Sequence, residues 1–315
     1  MKKFLLSAIA VMCIVPLMSQ QTATLKLNLE KNKTYRLRSA SKQTVVQTVS
    51  GNQQTVESEV LYTMSIKMID ATPEFLVTEI HFDTITTKTN TMGKVESFSS
   101  TVEGDIKSSE TSKIMSYIMN RLSKSALYVK LDYAGQPLEV LNSKILSEMI
   151  LKDTSLITLT GPTASAIKTQ IASTVSDNNL KTMVKSFTWN LPGGQVSTGA
   201  EWKIFDQVSS GGMLLAITAS NRLDGIKGNN ALITVESDIR APENAPPIKS
   251  GGATVTYNNL RGISKSSLVV DTGTGLVTEN KSKTSISASL GVSAPGFSME
   301  IPMVINGETV ITGQK

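Results

Sequence analysis

Cysteine is nearly missing from this chain. The only one, Cys13, lies inside the apolar run from Phe4 to Met18. That run follows the positive start Met1-Lys2-Lys3 and ends before the small residue Ser19, which is the layout of a cleavable secretory leader over residues 1–19. It is shorter than the roughly 20 apolar residues a membrane span needs, and no later segment matches it. A lipid-bearing cysteine would need a small residue before it and a polar start after it, whereas Met12 and Ile14 flank Cys13. Removing the leader removes the thiol. Residues 20–315 are then expected to carry no disulfide, no thiolate metal site and no cysteine nucleophile.

Histidine is equally scarce. His81 is the only one, so a Ser-His-Asp arrangement would have to recruit it. The nearest approach to a nucleophile elbow, Gly291-Val292-Ser293-Ala294-Pro295, has proline in place of the second glycine and no helix after it. On a strand, Glu79, His81 and Asp83 share one face. That is a partial metal row, but it needs a further ligand from another strand, and a solvated polar face is the favoured reading, so no metal site is assigned. Aromatics make up 5% of the chain and do not cluster, with Trp189 and Trp202 the only tryptophans, so stacking platforms for sugars or bases are poorly supported. The formal charge of +5 falls by two when Lys2 and Lys3 leave, and the remaining lysines are scattered among acids. No footprint for nucleic acid follows. Gly273-Thr274-Gly275 lacks the rest of a phosphate loop and falls between strands. No cofactor is implied.

What is present is alternation. From Val56 to Met68, Val60, Tyr62, Met64, Ile66 and Met68 fall on one face and Glu59, Thr63, Ser65 and Lys67 on the other, a half-buried strand of period two. Tyr35 to Val49, Phe75 to Thr87 and Val95 to Val102 extend this into a meander with turns at Gly51-Asn52 and Met92-Gly93. Ile114, Met115, Ile118, Met119 and Leu122 then recur at helical spacing. After the strand Ala126 to Asp132 and its partner Leu138 to Leu141, Asn142 is placed to cap a second helix carrying Ile145, Leu146, Met149 and Ile150. Two more helices are expected over Thr163 to Val175 and Asp177 to Phe187, separated from the second by the break Gly161-Pro162.

Strands return at Trp202 to Val208, Met213 to Leu223 and Leu232 to Ile239. Ala241 to Gly252 reads as an extended, exposed linker. Beyond it, Ala253 to Leu260, Ser267 to Val270, Leu276 to Lys281 and Thr284 to Val292 read as separate short strands. Asn306-Gly307 reads as the turn of a closing hairpin, with Pro302 marking a sheet edge. The turns at Asp132 to Gly135 and Asp271 to Gly275 echo each other, which suggests two similar halves, 24–160 and 190–315, within one β-rich domain over 20–315.

Leu25 to Leu29, the opening Lys33-Thr34-Tyr35, the segment Gly199-Ala200-Glu201-Trp202 and the Asp271 to Gly275 turn together resemble a family of exported, uncharacterised proteins common in Bacteroidota (DUF6263). That resemblance implies no catalytic residues. A more distant likeness is to periplasmic lipoprotein carriers of the half-barrel type, and it implies an apolar cavity for acyl chains.

The expected fold is α+β and mainly β: a curved antiparallel sheet, a possible half-barrel from two similar halves, with three or four helices packed on one face. The expected role is that of an exported, non-enzymatic protein of the periplasm or outer envelope that binds a hydrophobic ligand such as a lipid, acyl chain or lipoprotein. Met64, Met68, Met115, Met119, Met149 and Met183, adaptable side chains on apolar faces, are the candidate cavity lining. Two other readings stay open: a structural adaptor without a cavity, and a carboxylate-based hydrolase.

Overall fold

The computed structural model describes residues 21–188, 191–210, 213–243, 245–250 and 253–314. The leader and Trp189 lie outside the described residues. The chain opens with a short strand β1 (Thr22–Leu25), followed by the meander β2 (Thr34–Val49), β3 (Asn52–Ala71), β4 (Phe75–Thr91) and β5 (Lys94–Ser99). Helix α1 (Thr111–Ser123), strands β6 (Leu127–Asp132) and β7 (Pro137–Val140), and helices α2 (Ser143–Asp153), α3 (Gly161–Thr174) and α4 (Asp177–Lys185) come next. The remainder is all strand: β8 (Gly194–Ser197), β9 (Glu201–Ser210), β10 (Met213–Lys227), β11 (Asn230–Arg240), β12 (Ile248–Ser250), β13 (Ala253–Asp271), β14 (Val277–Ala294) and β15 (Phe297–Gln314).

One antiparallel sheet holds thirteen of these strands in the order β7-β6-β4-β3-β2-β15-β14-β13-β11-β10-β9, with β5 added to β4 and β12 to β13. It is curved and not closed, because β7 and β9 do not pair. Helix α4 packs against both of those edge strands. The positive φ pairs at Ser50-Gly51 (49° and 80°) and Met92-Gly93 (52° and 86°) give tight turns whose twist matches the long hairpins they join.

The closing hairpin expected at Asn306-Gly307 does not form. β15 runs straight through it, with Gly307 opposite Thr284 on β14 and Gln43 on β2. A two-residue turn needs φ > 0 at both central residues; here a strand on either side offers ladder hydrogen bonds that outweigh the local preference. Ser285 Oγ donates to Asn306 Oδ1 at 2.9 Å. β15 is therefore interior, not an edge, and it is the strand that joins the first meander to the second. Pro302 lies just outside its pairing with β2, which begins at Met303. The four short strands expected between 253 and 292 are likewise two long ones. β13 absorbs a bulge between Asn258 and Arg261, where Asn259 takes φ 53°.

The N-terminal segment ties the fold together at one end. Leu27 N–H donates to Tyr133 O (2.8 Å) and Asn28 N–H to Thr274 O (2.9 Å), so residues 27 and 28 bridge the two Asp–Gly turns. In each turn the aspartate accepts a backbone hydrogen bond: Asp132 Oδ1 from Gln136 N–H and Asp271 Oδ1 from Thr274 N–H. Gly275 has φ +73°, and a Cβ there would fall 2.1 Å from Lys26 O. Only glycine fits.

Helix α1 buries the stripe Ile114, Met115, Ile118, Met119 and Leu122. Each such side chain contributes about 1.5–3 kcal/mol, which holds a helix too short to persist alone. Asn142 precedes α2 but its side chain does not cap it. Its Oδ1 instead accepts from Tyr128 N–H (3.0 Å) and its Nδ2 donates to Ala126 O (2.8 Å), fastening the helix start to β6. Gly161-Pro162 begins α3 rather than separating helices, as suits a proline in the first turn. Ser176 Oγ caps α4 by accepting from Asn179 N–H (3.3 Å).

Two apolar clusters lie on the concave face. The larger joins residues from both meanders to all four helices. The smaller, at the opposite end of the strands, contains Leu215, Ile239, Tyr257, Leu260, Ile286, Met303 and Ile305. Ala241, Ala245 and Ile248 pack over it and β12 pairs with β13, so the segment expected to be an exposed linker is a strap half-buried at those three residues. Ile286 lies flat over Gly262, where an added Cβ would come within 2.6 Å of it.

Candidate functional site

Between the two apolar clusters the concave face turns polar. On β2, β15, β14 and β13 the inward positions carry small residues: Ser39 and Ser41, Gly307 and Thr309, Ser282 and Thr284, Ser264 and Ser266. Hydroxyls pair across strands, Ser41 with Thr309 at 3.0 Å and Ser264 with Thr284 at 2.8 Å.

A cleft of about 450 Å³ opens where this band meets helix α4. One wall is mainly aliphatic, built by Ile204 and Val208 of β9, Ile217 and Ala219 of β10, and Ile239 of β11, with Asp206 of β9 and Ser237 of β11 as its polar members. The other presents Ser264, Ser266, Ser282 and Thr284, with Asn280 at its end. The C-terminal turn of α4 and the residues after it form the roof through Thr182, Lys185, Ser186 and Thr188. Lys185 Nζ meets Asp206 Oδ1 at 2.6 Å and clasps the helix to β9, both side chains about one-fifth exposed. Among the described residues that pair supplies the cleft's only charges.

Four buried side-chain polar atoms lack a hydrogen-bond partner among the described residues, and two of them, Thr188 Oγ1 and Asn280 Oδ1, belong to residues that line this cleft. Asn280 stands between Leu268 and Ile311 in an otherwise apolar row and is 4% exposed. Such an atom costs about 1–3 kcal/mol unless something bonds to it.

The six methionines sit elsewhere. Met64, Met68, Met115 and Met119 are buried in the larger cluster, and Met149 and Met183 are half-buried against it. None is among the residues lining the cleft, although Met183 is on α4 between Thr182 and Lys185, which are. Sequence reading missed Asn280 because the inward hydroxyls of β14 disguised one long strand as two. The signal was there in the phase: Asn280, Ser282 and Thr284 continue the alternation of Ile286, Ala288 and Leu290.

His81 is on the outer face. Its Nε2 lies 3.0 Å from Glu79 Oε1, and Lys67 Nζ is 2.8 Å from Glu79 Oε2, so a cation already occupies the carboxylate. Hydrogen bonds from Lys67 and His81 hold the Glu79 carboxyl below its ordinary range. Asp83 is the extra residue of a bulge and accepts from Ser65 Oγ at 3.1 Å. Among the described residues no group of three His, Cys, Asp or Glu side chains is placed to hold a metal ion.

The outer face carries a row of charges that crosses the sheet: Glu236, Lys265, Lys283, Glu308, Lys42, Glu59 and Lys88 stand opposite one another in turn. Lys265 pairs with Glu236 (3.2 Å), Lys283 with Glu308 (2.9 Å) and Lys42 with Glu59 (2.9 Å). A second groove, of about 590 Å³, contains the two carboxylates Glu236 and Asp238. Each is ion-paired and well exposed, unlike the sheltered acid that glycoside chemistry uses. Among the described residues no helix is long and apolar enough to cross a membrane.

Two solved structures align with the chain over most of its length. An outer membrane channel from Pseudomonas putida F1 aligns at a TM-score of 0.27 with 7% identity, over 91% of this chain and 97% of that one. A DUF1329 family protein from Desulfovibrio piger aligns at 0.17 with 9% identity, over 89% and 84%. Scores this low carry no argument about fold or activity. No curated protein matches the sequence. The sequence pattern of a family of unknown function (DUF6263) matches residues 75–277, from the first residue of β4 to the first of β14, and the chain belongs to that family.

Proposed function

We propose that this is an exported, non-enzymatic envelope protein that binds a hydrophobic ligand in the cleft beneath α4. The observation that carries the reading is the cleft itself: a mainly aliphatic wall facing a hydroxyl wall, with a buried polar atom that has no partner on each of two lining residues. Its volume falls within the roughly 300–1,000 Å³ of small-ligand sites. The charged outer row supports a water-facing body, because an outer face in contact with hydrocarbon carries an apolar band about 25 Å tall.

The methionines extend the proposal. A chain longer than the cleft would advance along α4 past Met183 towards Met149, where unbranched, polarisable side chains yield more readily than branched ones. Native mass spectrometry of protein purified from cells tests the reading. A retained mass that denaturation releases, together with uptake of a fluorescent fatty acyl probe, is expected; a clean apo mass with no uptake refutes it. N-terminal sequencing of the secreted fraction tests export, with a start near residue 20 expected. The adaptor reading has one specific observation behind it: Phe205 is 74% exposed on the edge strand β9. Recovery of the same envelope protein by wild type but not by Phe205→Ser would favour it over ligand binding.

A further inference from the structure

We infer that the cleft takes a neutral amphipathic ligand, an apolar body bearing a hydroxyl or amide N–H, rather than a free fatty-acid carboxylate. The inference rests on the cleft reading above and names its ligand class. Asn280 Oδ1 is an acceptor without a donor, held in place by a side chain 4% exposed between Leu268 and Ile311. It can be satisfied only by a group that brings a proton. Thr188 Oγ1, also 4% exposed and unpartnered, donates or accepts. A hydroxyl, which both donates and accepts, suits either atom.

An ionised carboxylate brings acceptors only. Against Asn280 Oδ1 it would place oxygen against oxygen in a site shielded from water. It would also need a free cation. Among the described residues the one cation lining the cleft, Lys185, is already neutralised by Asp206 at 2.6 Å. The wall of serines and threonines fits the same chemistry, since hydroxyls exchange hydrogen bonds with a neutral polar head without leaving a buried charge.

Titration calorimetry of the purified protein with 1-decanoylglycerol and with decanoate, near neutral pH, tests this, because the two probes share one acyl chain and differ in the head. The glycerol ester is expected to bind on the order of tenfold tighter, the equivalent of one well-placed hydrogen bond. Asn280→Leu should remove most of that preference, weakening the ester and, with the opposing oxygen gone, strengthening decanoate. Thr188→Val, a smaller change, should remove part of it, and thermal melts of both variants confirm folding. Decanoate binding as tightly as the ester, or more tightly, overturns the inference and leaves the cleft reading standing. Binding of neither probe removes both.

Discussion

Asn280→Leu should make the protein more stable. The argument begins with a mismatch of one atom. Asn280 occupies an inward position of β14 whose cross-strand neighbours are Leu268 and Ile311, both buried, and its Oδ1 has no hydrogen-bond partner. In the unfolded chain that oxygen is hydrated; in the folded one it is buried without a protein partner, at a cost of about 1–3 kcal/mol. Leucine has nearly the same shape, carries no acceptor and adds apolar contact to its two neighbours. Crowding offsets part of the gain, by up to about 1 kcal/mol, although the adjoining cleft leaves room on one side. A net stabilisation of about 1–2 kcal/mol follows, which for a chain of this size raises the melting temperature by about 2–5 °C. Differential scanning calorimetry measures it. Asn280→Asp, which puts a charge in the same place, should lower the melting temperature instead. The reasoning is refuted if Asn280→Leu melts below wild type, because the oxygen must then be satisfied in the free protein and the cleft loses its strongest mark of a ligand site.

Gly275→Ala should cost about 2–4 kcal/mol in urea unfolding, since its φ of +73° is unfavourable for alanine and the new Cβ would meet Lys26 O; Gly228→Ala, with φ +58° but open space around it, should cost about 1 kcal/mol. Truncation before Met303 removes the strand between β14 and β2 and should abolish cooperative unfolding; a soluble, protease-resistant product would contradict the interior placement of β15. Glu79 is held below its usual value of 4.5, so its contribution to stability is complete above about pH 4.5 and is lost as the pH falls through the lower folded value; Glu79→Gln should flatten the acid limb of the stability curve. Burial raises the Tyr62 hydroxyl above its usual 10.0, so the unfolded chain ionises first and stability should fall above about pH 10, a loss that Tyr62→Phe removes.

Much of the fold was legible because period two is a strong signal when one face is apolar. β3 and the stripe of α1 are cases where side-chain pattern and structure coincide. Legibility failed where tertiary pairing outvoted a local preference. Asn306-Gly307 has the chemistry of a turn but lies between two strands that bond its backbone on either side. Asn142 has the chemistry of a cap, but β6 and the residue before it claim its side chain. The strap at 241–250 has the composition of a linker, yet Ala241, Ala245 and Ile248 find an apolar cluster assembled from five distant strands. The candidate site was harder still. Its floor is made of serines and threonines, residues that read as solvent-facing in any single strand. They become a concave band only when β2, β15, β14 and β13 are placed side by side, and the β2–β15 pairing joins residues more than two hundred positions apart.

The open edge of the sheet decides how a ligand would enter. Every interior strand is hydrogen-bonded on both sides, so widening the cleft through the sheet would break a ladder along much of a strand. Helix α4 is held differently. It fills the gap between β7 and β9 by side-chain packing, and the Lys185–Asp206 pair clasps its C-terminal end to β9. Its backbone hydrogen bonds are internal and survive a rigid shift of the helix, whereas those of a displaced strand do not. A shift that breaks the clasp would expose Ile204 and Val208 with Asp206 between them, so a guest that is apolar along its body and polar at one point would stabilise the shifted state by replacing the contacts it loses. The movable wall is therefore the helix. The same geometry explains why a sheet with two unpaired edges stays open here: closing β7 onto β9 would expel α4, and with it Leu180 and Val184 from the core they share with both meanders.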